Sequence, residues 1–119
     1  ILADLDLRKP ILDAMGTASF AAFRHDTGVQ TPVSVLAGRY LSGGGCRPHG
    51  CPGAGGMFII DRVRETAIVL HYDHDVLPNR GKVRYWGPFD AMSQVEVEEV
   101  EQWLRAVGID WANVVPARD

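Results

Sequence analysis

The chain has 119 residues, 46% of them hydrophobic and 23% charged, and a formal net charge of −3. That length suits one domain spanning 1–119 with a core of its own, and the composition excludes a disordered chain. The mild acidity argues against nucleic acid as a partner and is compatible with a basic one, as for many soluble proteins; no apolar run approaches a membrane span.

The first segment, Ile1 to Phe23, reads as apolar and mostly helical, with Ile11, Leu12 and Met15 on one face. Pro10 suits the first turn of a helix, and Gly16 either ends that helix or lets it run on to Phe23. Beyond Gly28 the pattern turns to strands. Val33, Val35, Tyr40 and Leu41 give short extended pieces separated by Ala37-Gly38. Met57 to Ile60 reads as a buried strand, Asp61 to Glu65 as a charged turn and Thr66 to Tyr72 as the returning strand of a hairpin. A polar loop from Asp73 to Gly81 precedes a strand over Lys82 to Trp86, which ends at Gly87-Pro88. Ser93 with Glu96 forms a capping-box pair, and Val97, Val100, Leu104 and Val107 follow at helical spacing, widened by Trp103. Gly108 can close that helix. The sum is an α+β fold: a central antiparallel sheet of about five strands with helices packed on one face.

The two cysteines of the chain bracket one short segment, Cys46-Arg47-Pro48-His49-Gly50-Cys51. Both lie in one loop, which favours a local disulfide and an oxidising compartment. The start at Ile1 fits an exported protein whose signal peptide has been removed, or a trimmed chain. Pro48 fixes its own φ and pushes Arg47 out of the helical region. Gly43, Gly44 and Gly45 before the ring, and Gly53, Gly55 and Gly56 after it, read either as a merely permissive loop or as small residues that let the ring protrude. A six-residue ring removes only about 2 kcal/mol of unfolded-state freedom, so its use is preorganisation for binding.

A lone loop histidine is usually a solvated surface residue. On a stiffened ring, His49 instead reads as an imidazole offered to another molecule's cleft, with Arg47 as its cationic neighbour on the rim. An imidazole ordinarily titrates near ~6.5 and can share protons with carboxylates. Zinc is the first competitor, with Cys46, Cys51, His49, His71 and His74 as nominal ligands, but the spacing is not that of a knuckle. Strand alternation also sends His71 and His74 to opposite faces. A thiol oxidoreductase is disfavoured because the motif is not Cys-x-x-Cys. No nucleophile elbow or phosphate loop is present. No metal, no cofactor and no enzymatic activity are expected.

Cys46-Arg47-Pro48-His49-Gly50-Cys51 resembles the signature loop of the Ivy family, the periplasmic inhibitors of vertebrate lysozyme in Gram-negative bacteria. That loop typically reads Cys-Lys-Pro-His-Asp-Cys, with Asn also found at the fifth place. Thr31-Pro32, Tyr40-Leu41-Ser42, the strand after the ring, Arg84-Tyr85-Trp86-Gly87 and the amphipathic helix that follows also look like the family. The resemblance implies an antiparallel sheet with helices on one face and inhibition by occlusion. A disulfide-held loop enters the cleft of a C-type lysozyme, and the loop histidine, His49 here, hydrogen-bonds both catalytic carboxylates. Such a retaining pair stands ~5–5.5 Å apart, within reach of one imidazole. Arg47 in place of Lys keeps the charge. Gly50 in place of an acid or amide is the sharper departure; it implies weaker inhibition, or another target such as the cell's own lytic transglycosylases. A homodimer is allowed.

Overall fold

The computed structural model describes residues 5–30, 32–48, 53–74 and 81–117, with the side chains of residues 5–7 and 30 left aside. Two helices, α1 (Leu5–Met15) and α2 (Thr17–Asp26), open the described chain. Both readings of Gly16 are realised in part: φ swings to 82° there, α1 ends, and a second helix resumes at once. Pro10 is not in the first turn, as the sequence suggested, but is the sixth residue of α1, because the helix starts upstream at Leu5. An interior proline costs a helix about 3 kcal/mol. Burial of Ile11 and Met15 against the sheet offsets it.

Among the described residues seven strands form one sheet: β1 (Val29–Gln30), β2 (Ser34–Leu36), β3 (Tyr40–Cys46), β4 (Ala54–Asp61), β5 (Thr66–Asp73), β6 (Val83–Trp86) and β7 (Val114–Pro116). The order is β1-β3-β4-β5-β6-β7, with β2 also pairing β3. All pairs are antiparallel except β6 with β7. The sheet exceeds the expected five strands because β1 and β7 are only two and three residues long and carry little periodicity. β2 and β3 meet at a tight turn in which Ala37 and Gly38 both take positive φ.

Helices cover both faces of the sheet, not one. Phe58, Ile60 and Val69 pack with Ile11, Met15, Phe20 and Phe23 of α1 and α2. Met57, Ile59, Ile68 and Leu70, pointing the other way, pack with Val100 and Leu104 of α3 (Gln94–Val107). Every residue of β4 is buried, as cover on both faces requires. α3 begins at Ser93 with the expected capping box and ends at Gly108 in a left-handed conformation. Glu96 of that box is itself buried, with Arg64 3.5 Å away.

Of the glycines around the cysteine segment, Gly43, Gly44, Gly45, Gly55 and Gly56 are strand residues. Gly43, Gly44 and Gly45 pair with Phe58, Met57 and Gly56, and Cys46 pairs with Gly55. They are small because other groups occupy the space. A Cβ on Gly56 would stand 2.6 Å from Phe23 Cε1, so its absence lets α2 lie close on β4.

Candidate functional site

β3 and β4 are one long hairpin, and the cysteine segment is its tip. The ladder extends one step past Cys46, where the Arg47 N–H donates to the Ala54 carbonyl at 2.9 Å. Cys46 pairs with Gly55 on one side and with Val29 on the other. The tip therefore leaves from the interior of the sheet, flanked by β1 and β4. The expected site residues Cys46, Arg47 and Pro48 stand at its root; His49, Gly50 and Cys51 lie outside the described residues. No described cysteine is a free thiol.

Three elements converge on that root. Arg47 Nε donates to Asp26 Oδ1 at 2.9 Å, from the last residue of α2, and Arg47 Nη2 donates to Asp73 Oδ2 at 2.6 Å, from the last residue of β5. The Arg47 side chain is 22% exposed. Its guanidinium thus turns inward onto two aspartates, where the sequence suggested a cation on the rim. The other Asp26 oxygen, Oδ2, lies 2.7 Å from His71 Nε2, and both residues are 3% exposed. Pro48 follows against the turn after α2, where a Cβ on Gly28 would stand 2.7 Å from Pro48 Cγ. The Gly28 N–H is held by the His25 carbonyl at 3.2 Å.

The protonation states follow from these contacts. Burial opposes the Asp26 charge, but hydrogen bonds from Arg47 and His71, together with the Arg47 charge, outweigh it and hold the carboxyl below its usual range. His71 is pushed down by burial, which exceeds the pull of Asp26. It is therefore neutral near pH 7 and donates from Nε2, while buried Nδ1 has no hydrogen-bond partner among the described residues. A charged imidazole would bury an unpaired N–H at that atom. The ring is gripped edge-on by Phe23 at 5.9 Å and stacked on Trp86 at 6.4 Å.

Alternation along β5 puts His71 and Asp73 on the α2 side. His74, beyond the strand end, lies tilted against Tyr72 with ring centroids 4.9 Å apart. The two histidines thus separate as the spacing predicted. The sequence did not point to Asp26, which is 21 residues from Arg47 and 45 from His71. The readable part of the signal was His71 and Asp73, two apart on one strand and so on one face.

Comparison with curated proteins and with solved structures returns no match. The family model described as inhibitor of vertebrate lysozyme (Ivy) matches residues 6–107, most of the chain and all of the elements from α2 to α3. The matched span includes the cysteine-bracketed hairpin and the groups that anchor its root, and the chain belongs to the Ivy family of vertebrate lysozyme inhibitors.

Proposed function

We propose that this protein inhibits C-type lysozyme by lodging the β3–β4 hairpin tip in the enzyme's cleft, where His49 hydrogen-bonds the two catalytic carboxylates. The family match over residues 6–107 carries the reading. Support for a rigid tip comes from Cys46, which is not a free thiol in a chain with one other cysteine, Cys51. A Cys46–Cys51 disulfide closes the ring, in a periplasmic protein acting as one domain. Nothing is cleaved and no cofactor takes part. Glycine at position 50 favours testing an endogenous lytic transglycosylase beside lysozyme. The test is lysis of a cell-wall suspension by lysozyme with and without the protein. Undiminished lysis at an excess of protein would refute the lysozyme reading, and slowed lysis by a transglycosylase alone would move the target to that class.

A further inference from the structure

We propose that Arg47, Asp26 and Asp73 form a clamp that aims the hairpin tip, making them positioning residues for His49 two positions further on. The inference rests on the lysozyme reading above for its use, but not for its geometry.

The clamp joins parts of the chain that backbone pairing leaves separate. β3 delivers the tip, and among the described residues the last ladder bond is that of the Arg47 N–H. From there the Arg47 side chain reaches sideways to α2 through Asp26 and across to β5 through Asp73. Two carboxylates on one planar guanidinium fix its orientation, and charge-assisted bonds of this kind are about twice as strong as neutral ones. Asp26 cannot swing away, because its second oxygen is engaged by His71, whose ring is wedged between Phe23 and Trp86. Pro48 then rests against Gly28 with no room for a Cβ between them. The chain entering His49 is therefore fixed by charge on one residue and by steric contact on the next.

A buried ion cluster that merely stabilised the fold would serve anywhere in the core. This one sits at the stem of the binding loop and joins the ends of three elements there. Its arginine is the residue next to the cysteine and two before the histidine. Tip orientation is thereby transferred from the sheet and α2, which are rigid, to a loop that must bind without losing more entropy.

The experiment compares the parent with Arg47→Met, Arg47→Lys, Asp73→Asn and Gly28→Ala, each alone and with His49→Ala. Three quantities are read on the disulfide-intact protein: melting temperature, Kd for one C-type lysozyme, and the His49 ring resonance in the free protein. Arg47→Met and Asp73→Asn should displace or broaden the His49 resonance and weaken binding by about tenfold or more. Arg47→Lys should recover part of that loss. Gly28→Ala, which removes no charge, should move the same resonance by pushing Pro48. In the His49→Ala background these variants should cost nothing further, since a positioning residue acts through the group it positions. An unmoved His49 resonance in Arg47→Met and Gly28→Ala overturns the clamp, as do affinity losses that add to that of His49→Ala. If Arg47→Met fails to fold, Gly28→Ala decides by the same criteria. If the parent does not bind lysozyme, or His49→Ala binds as well as the parent, the functional reading fails, while the resonance in the free protein still decides the clamp.

Discussion

Asp26 Oδ2 and His71 Nε2 meet at 2.7 Å in a setting where both side chains are almost wholly shielded from water. The carboxylate is charged and the imidazole is neutral, and that pairing makes stability fall in acid. Burial lowers the His71 pKa, so between that value and ~6.5 the unfolded chain binds a proton that the folded one does not. Stability therefore falls as pH drops below ~6.5. Asp26, held low in the folded state, acts in the same direction at more acid pH, its contribution being lost as pH falls through its folded pKa. Asp73 and Arg84 also bear on the His71 charge, the first favouring and the second opposing it. The parent should melt lower at pH 5 than at pH 7.5, and His71→Gln, which keeps a donor for Asp26 without a titrating ring, should show a smaller drop. Equal drops in the two proteins would exclude His71 as the source.

Asp61 supports the opposite end of the hairpin. It is fully buried at the close of β4 and accepts from Arg39 Nε and Nη2, from Arg64 Nε and from the Val63 N–H. Hydrogen bonding from Arg39 is the largest influence holding its carboxyl far below the ordinary range. Loss of one partner from a buried ion pair typically costs ~3–5 kcal/mol. Here Arg39 and Arg64 side chains are 37% and 40% exposed and can rehydrate, so Asp61→Ala should cost about 3 kcal/mol, the low end. Denaturant unfolding measures it. The folded fraction should bind lysozyme as the parent does, because the hairpin tip lies at the far end of β4.

His49→Ala should weaken lysozyme binding while leaving the melting temperature unchanged. Hydrogen bonds to charged groups contribute about 1.5–3 kcal/mol each in net terms. Affinity and melting temperature are to be measured on the same preparation. Unchanged affinity removes the imidazole from the mechanism, and a collapsed melting temperature makes His49 structural.

Opening the ring should harm inhibition more than stability. Its closure restricts only six residues of the unfolded chain, worth about 2 kcal/mol at most on the chain-entropy model. The same closure confines the segment that must enter the cleft. A Cys46→Ser, Cys51→Ser double variant that remains folded at 37 °C and inhibits as well as the parent would show that preorganisation is not the purpose of the ring.

The elements that sequence revealed were those whose signals are local. The Ser93–Glu96 box, the stripe of Val100 and Leu104, and the β4–β5 hairpin each declare themselves within a dozen residues. The cysteine segment was legible for the same reason. What stayed hidden is long-range. Gly43 and Gly56 read as parts of a permissive loop because nothing nearby says that the Phe58 ring lies against the first and the Phe23 ring against the second. Arg47 read as a surface cation because its partners, Asp26 and Asp73, arrive from other elements. β1 and β7 are too short to carry a period and exist only because β3 and β6 offer edges to pair with.

Gly50 gives the most exposed prediction. The family pattern favours an acid or amide at this place, and this chain has glycine. Inhibition should accordingly be weaker than a typical member's, and Gly50→Asp should restore part of it. A carboxylate there can accept hydrogen bonds from ring N–H groups and hold His49 in its binding rotamer. It also adds negative charge opposite a basic enzyme surface, and rim charges act mainly on association rate. Opposing this, a glycine kept for positive φ would make Asp costly, since side chains disfavour that region. The comparison is the inhibition constant of parent and Gly50→Asp against one C-type lysozyme at fixed pH and at two salt concentrations. A gain that shrinks at high salt identifies long-range attraction, and one that persists identifies bracing of the ring. Equal constants, or a poorer variant with its disulfide intact, would show that glycine at this position is neutral or adaptive.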